Sequence, residues 1–174
     1  MQESKIRAYL ETATNIAVLA VSILILSLLA VSFFSKGSKT EFNSGLQKGK
    51  QFAQLPAVDY SASRQTLVIA LSSKCGYCRE SLPFYKQVAE SQGNNKITRI
   101  LALSPETKQV ADQFLEQNQL SLEAIPSVEL NAYSIDATPT IILLDSKGII
   151  IDFWVGKLPE RVEQQILDAI NVNR

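Results

Sequence analysis

The chain has only two cysteines, Cys75 and Cys78, and their placement constrains the fold more than any other feature. They come directly after Gln65-Thr66-Leu67-Val68-Ile69-Ala70-Leu71, a short apolar run rich in β-formers. A continuous run of that kind predicts a central strand buried on both faces. A helical pattern follows over roughly 77–91, with Leu82, Tyr85, Val88 and Ala89 facing inward. Pro83 lies inside that pattern and predicts a kink, and Gly93-Asn94-Asn95 ends it. Strand, Cys-x-x-Cys and helix in that order point to a redox dithiol rather than to scattered cysteines.

The spacing has a chemical reason. Two intervening residues, here Gly76 and Tyr77, let both sulfurs meet across one turn at the start of a helix. The first cysteine then sits at the helix N-terminus, where unpaired N–H groups and the helix dipole favour a thiolate. Lys74 and Arg79 add positive charge nearby and are read as tuning its pKa. The thiolate is the attacking species, so a lowered pKa raises the reactive fraction at neutral pH. Cys75 is therefore the expected nucleophile, and Cys78, a turn further on, the expected resolving thiol. Together they form the one disulfide this chain can make. An inert structural disulfide and half of a metal site are the competing readings. A structural metal site would need two more ligands of the Cys or His type, and the chain has no histidine and no further cysteine. Neither a metal nor a cofactor is expected. The lack of histidine also removes every Cys-His or Ser-His nucleophile arrangement.

Downstream, 97–103 predicts a second strand, and Ser104-Pro105-Glu106 reads as a helix start with Ser104 as cap. Val110, Ala111, Phe114 and Leu115 supply that helix's apolar face. Val128-Glu129-Leu130 suggests a short strand and 131–136 a helical turn. Two further strands, 140–144 and 149–155, flank the turn Asp145-Ser146-Lys147-Gly148 as a hairpin. Val162, Ile166, Ala169 and Ile170 then mark a last helix at helical spacing. The pattern predicts an α/β fold, a central mixed sheet with helices on both faces.

Between Glu11 and Lys36 the chain carries no charge. The apolar stretch 13–34 would span about 33 Å as a helix, enough for a hydrocarbon core of about 30 Å. Its apolar residues go all the way round, which disfavours an amphipathic core helix. A cleaved signal peptide is the rival, with Lys5 and Arg7 as its basic region and Ala30-Val31-Ser32 as a cleavage site. The run exceeds the usual length of such a region, and Phe33-Phe34 would begin the mature chain awkwardly. The expected organisation is a tail (1–12), a transmembrane helix (13–35), a linker (36–54) and a domain (55–174). The segment 55–60 is expected as an extended lead-in along the domain edge. Lys36, Lys39, Lys48 and Lys50 after the helix outnumber Lys5 and Arg7 before it, so charge alone leans toward an inward-facing domain. The 17 basic and 17 acidic residues balance, which leaves no nucleic-acid footprint.

Over roughly 55–174 the chain resembles the thioredoxin superfamily. Cys75-Gly76-Tyr77-Cys78 stands at the active-site position, and Pro83 matches the kink proline of the active-site helix. Thr138-Pro139-Thr140 matches the segment whose proline is cis, and Val155-Gly156 matches the glycine closing the last strand. The resemblance implies a thioredoxin-like fold in which Pro139 packs beside the cysteines and the Thr138 backbone pairs with a substrate segment. The anchor and the additional helix before Pro139 resemble the TlpA-type branch of bacterial membrane-tethered thiol–disulfide proteins.

That resemblance implies a single-pass protein of the bacterial inner (cytoplasmic) membrane whose domain faces the periplasm or outside. It would reduce or oxidise disulfides of partner proteins through Cys75 and Cys78. Its partners would be protein thiols and disulfides and a membrane-bound or soluble electron donor. A tethered binding module without turnover, a disulfide isomerase or an oxidase are the alternatives. The Gly-Tyr dipeptide resembles periplasmic isomerases, but 36–66 is too short for their dimerisation domain. The additional helix also occurs in peroxiredoxin-like chains, but their Thr-x-x-Cys setting is absent.

Three positions depart from the family pattern. Lys74 and Tyr77 replace the usual Trp and Pro, and Ile69 stands where thioredoxin has a buried acid. Proton transfer at Cys78 must then use water or another acid, with Glu106, Glu123 and Glu129 as candidates. Basic neighbours without the buried acid predict a more oxidising couple than a cytosolic thioredoxin.

Overall fold

The computed structural model describes residues 18–19, 21–23, 25, 45–94 and 97–171. A five-stranded sheet has the order β3-β2-β1-β4-β5. Strand β1 (Gln65–Ala70) lies at its centre, parallel to β2 (Thr98–Leu103) and antiparallel to β4 (Thr140–Asp145). The short strand β3 (Glu123–Ile125) extends β2 in parallel, and β5 (Ile150–Val155) closes the other side as the hairpin partner of β4.

Thr66 through Ala70 are wholly inaccessible, as a central strand requires. Side chains alternate between faces. Leu67 and Ile69 join one core with Ile100, Ile141 and Leu143, while Val68 and Ala70 join the other with Leu101, Ile142 and Leu144. The first core is capped by Phe84, Tyr85 and Val88, by Phe114 and Leu115, and by Ile166 and Ile170. These residues lie on α2 (Leu82–Asn94), α3 (Lys108–Gln117) and α4 (Glu160–Asn171). The two parallel crossovers, β1 to β2 and β2 to β3, advance in the same direction along the sheet. Right-handed connections therefore put α2 and α3 on the same face. The second core is covered among the described residues by Leu46, Phe52, Leu55, Val58 and Tyr60, and by Val128 and Ile135. Among the described residues that face carries the short 3₁₀ turns Tyr60–Ala62 and Leu130–Tyr133, where the sequence pattern predicts helices, and the α-helices lie on the other face.

Several boundaries differ from the sequence expectation. The compact unit starts before residue 55: Leu46 and Phe52 are buried, and Gly49 and Phe52 donate to the carbonyls of Ile150 and Gly148 at 2.8 and 2.9 Å. Part of the expected linker thus covers the hairpin, because two isolated apolar side chains find a place there that no periodicity announces. The stretch 55–60 is not extended. It turns at Ala57 (φ 56°) and enters the first 3₁₀ turn, capped by Asp59. Ser104 does not cap a helix; α3 starts at Lys108 after Thr107. Val128-Glu129-Leu130 is not a strand, and β3 lies earlier in the chain.

The helix that follows the cysteines is broken rather than bent. A short α1 (Gly76–Glu80) ends at Ser81 (φ −89°, ψ 2°), and α2 follows. Pro83 has no N–H for the Arg79 carbonyl and crowds it. The Ser81 N–H takes that carbonyl together with that of Tyr77.

Of the expected membrane span 13–35, Val18, Leu19, Val21, Ser22, Ile23 and Ile25 are helical; the remainder, the tail and 36–44 lie outside the described residues. Ser22 donates to the Val18 carbonyl one turn back at 2.8 Å. No helix among the described residues is long and apolar enough to cross a membrane.

Candidate functional site

The site forms where β1 ends. Leu71 still pairs with β2 through the Leu103 carbonyl, and the chain then turns through Ser72, Ser73 and Lys74. The Cys75 N–H closes this turn on the Ser72 carbonyl at 3.1 Å. Cys75 is the N-cap of α1: its sulfur accepts the Cys78 N–H at 3.1 Å. Its thiol donates to the Thr138 carbonyl at 3.2 Å. Cys75 is partly exposed and Cys78 is fully buried, so one thiol reaches solvent and the other waits behind it.

The Thr138–Pro139 peptide bond is cis, and Pro139 is buried. Its carbonyl accepts the Gly156 N–H at 2.7 Å, which ties this loop to the end of β5. The structure therefore brings Cys75, Cys78, Thr138 and Pro139 together. Gly76, Tyr77, Lys74 and Arg79 sit exposed on the rim, with Tyr77 60% accessible.

Burial opposes a Cys75 thiolate, yet its thiol lies below the ordinary range. Hydrogen bonds from the Cys78 and Thr138 side chains and from the N–H groups of Cys78 and Tyr77 outweigh the burial. Lys74 and Arg79, expected to tune this group, are not among its leading influences. Burial first, then the hydrogen bond with Cys75, pushes the Cys78 thiol up to about 12. The pair is thus split into one thiol poised to ionise and one held protonated.

Ile69 is fully buried in the same core as Cys78, so no acid comes from that position. Of the three candidate acids, Glu123 is engaged by Arg99 at 2.6 Å, and Glu129 makes no capping bond at its 3₁₀ turn. Glu106 alone reaches the cysteine loop. Its carboxylate accepts Ser72 Oγ at 2.6 Å, Ser73 N–H and Oγ at 3.1 Å, and Ser104 Oγ at 2.6 Å. Burial raises this carboxyl, but the serine donors outweigh it and hold it below its ordinary range.

Two features were not read from the sequence. One is the serine cradle around Glu106. The signal was there: residues just past the carboxyl ends of adjacent parallel strands are neighbours. The other is Tyr85, whose buried hydroxyl makes no hydrogen bond. The Ser81 side chain is near enough to bias its ionisation without being placed to bond it. Val110, expected in the core, is exposed and lines a groove of about 400 Å³ with Ser73, Arg79, Gln113, Phe114 and Gln117 beside the cysteine loop.

A family model for a thioredoxin-like domain matches residues 53–171. No curated protein matches the sequence. Among solved structures, the chain is similar to a Chlorobium tepidum protein described as a thiol:disulfide interchange protein DsbE. That match is 26% identical, with a TM-score of 0.59, over 72% of this chain and 99% of that one. A C-terminal domain of a Bacteroides thetaiotaomicron protein, described as a thiol-disulfide oxidoreductase, is 20% identical with a TM-score of 0.58, over 74% and 97%. A thiol:disulfide interchange protein from Bacteroides sp. is 16% identical with a TM-score of 0.58, over 74% and 93%. These last two likenesses speak to the fold.

Proposed function

This chain belongs to the thioredoxin-like domain family, and from that premise we propose that it is a membrane-anchored thiol–disulfide oxidoreductase acting through Cys75 and Cys78. The observation that carries the reading is the position of the Cys75 sulfur. It lies at the head of α1, between the Cys78 N–H and the Thr138 carbonyl. The interchange activity named for the Chlorobium tepidum protein supports the same reaction class.

The Cys75 thiolate attacks one sulfur of a partner disulfide. That S–S bond breaks, a mixed disulfide forms, and one partner thiolate leaves. Cys78 gives its proton to water and attacks the Cys75 sulfur. The Cys75–Cys78 disulfide forms, the second partner thiolate leaves, and two electrons have passed to the partner. Run backwards, the same steps oxidise a partner dithiol. Thr138 offers backbone to an extended substrate segment beside Pro139. Substrates are protein disulfides, and a membrane-bound or soluble donor restores the dithiol.

Substitution Cys78→Ser leaves the first step and removes the second. It is expected to retain a partner as a mixed disulfide that a reductant releases, whereas Cys75→Ser retains none. Equal trapping by both variants, or by neither, would count against the assignment.

Anchoring rests on the uncharged stretch 13–35. The domain faces the outer side of the cytoplasmic membrane, where a tether keeps an exchange site close to membrane-bound donors. A membrane-impermeant thiol reagent should modify Cys75 in intact cells; protection until lysis would place the domain inside.

A further inference from the structure

Glu106 sits just past the end of β2, yet both of its carboxylate oxygens serve the ends of two neighbouring strands. Oε1 takes Ser72 and Ser73 beyond β1, and Oε2 takes Ser104 beyond β2. Its own backbone is held as well, the N–H on Ser104 Oγ at 3.2 Å and the carbonyl by the Ser127 N–H at 2.7 Å. The clamp is therefore fixed at its base.

What it fixes leads directly to the cysteines. Ser72 Oγ donates to Glu106 while accepting the Lys74 N–H at 3.2 Å, and the Ser72 carbonyl accepts the Cys75 N–H. All three residues ahead of the nucleophile are thus referred to one carboxylate. From this geometry we infer that Glu106 is a positioning residue of the exchange reaction, holding the Ser72–Lys74 turn so that Cys78 can reach the Cys75 sulfur. It is not a proton carrier: its oxygens are taken up by serine donors, and none of its hydrogen bonds goes to either sulfur. The Ser72 N–H also favours the Cys78 thiolate, so loosening the turn would weaken the group that must attack in the second step. Hydrogen bonds to a charged group carry enough free energy for the rate of that step to feel their loss.

The inference rests on the exchange reading, and one experiment separates the two. The reduced full-length chain is mixed with a chromogenic aromatic disulfide, which releases one coloured thiolate when Cys75 attacks it and a second when Cys78 closes the ring. In Glu106→Ala and in Ser72→Ala the second release is expected to slow about tenfold relative to the first, with the Cys78 limb of its pH profile moved to higher pH and no limb lost. Glu106→Gln keeps an acceptor oxygen and should fall between Ala and the parent. Ser72→Ala and Ser104→Ala each remove one hydrogen bond to the carboxylate, together with the one that the same hydroxyl accepts from the Lys74 or the Glu106 N–H, and carry the test if Glu106→Ala fails to fold. Unchanged ratios of the two rates in all folded variants would overturn the inference. So would a Gln variant as slow as Ala that also lacks a limb of the pH profile, since that is the mark of a proton carrier. A parent chain that releases only the first thiolate overturns the exchange reading itself.

Discussion

At the scale of single residues, the strongest departure from the rule that buried polar groups are paired is Tyr85. Its ring is fully buried among Phe84, Val88 and Cys78, and its hydroxyl makes no hydrogen bond. An unmade hydrogen bond in a core costs about 1–3 kcal/mol. Tyr85→Phe removes the hydroxyl and leaves the ring, so it should stabilise the domain by about 1 kcal/mol. A shift of the denaturant midpoint to higher concentration at unchanged slope is the expected result. A loss of similar size would mean that the hydroxyl is bonded in solution. Sequence legibility at this scale divides along the same line. Cys75 and Cys78 were legible because composition and spacing alone single them out. The unpaired hydroxyl of Tyr85 and the clamp of Glu106 were not. Whether a polar group is satisfied depends on side chains delivered by distant segments, and Ser72 and Ser104 meet only once β1 and β2 are paired.

At the scale of elements, the strands were the easiest part to read: the apolar runs of β1, β2 and β4 are buried as their hydrophobicity requires, and β5, interrupted by Asp152 and buried only at Ile150, was marked by the hairpin turn before it. The surroundings of β3 were not, because Glu123-Ala124-Ile125 is half-exposed and looks no more strand-like than the loop after it. The β4–β5 hairpin shows what its turn demands. Gly148 has φ 77°, and a Cβ there would meet the Tyr60 ring at 2.6 Å and Gln51 Nε2 at 2.8 Å. Tyr60 cannot readily give way: its hydroxyl donates to the Ala53 carbonyl and accepts the Leu55 N–H. Gly156, at the far end of β5, has φ 82° but open space around the same position. Gly156→Ala should therefore cost only the backbone penalty, about 1 kcal/mol, whereas Gly148→Ala adds overpacking and should cost about 2–4 kcal/mol. Equal losses in thermal or chemical unfolding would show that the 46–60 segment does not hold Tyr60 against the turn in solution.

At the scale of the whole molecule, the two thiols couple folding to redox state and pH in opposite directions. The folded state lowers the Cys75 thiol and raises that of Cys78 to about 12, against about 8.5 for both in the unfolded chain. As pH rises from the folded value of Cys75 toward about 8.5, the unfolded chain binds more protons than the native one, so the reduced form gains stability. Above about 8.5 the unfolded chain loses both protons while native Cys78 keeps its own, so the reduced form loses stability until about pH 12. The disulfide form has neither thiol to titrate. Every other group, including Glu106 and Tyr85, is present in both forms and largely cancels in their difference. The stability of the reduced chain minus that of the oxidised chain should therefore rise to a maximum near pH 8.5 and fall on either side, by at most about 1.4 kcal/mol per pH unit. Parallel denaturant titrations of the two forms at a series of pH values read this difference directly. A maximum displaced by two units or more, or a difference that changes in one direction only, would contradict the split between the thiols. The same split bears on what is expected of the couple's potential: a folded state that favours the Cys75 thiolate favours the reduced form, and a redox titration should then give a potential above that of a cytosolic thioredoxin. Lys74 and Arg79 suggested that tendency from sequence, but its leading structural support is the set of hydrogen bonds at the head of α1.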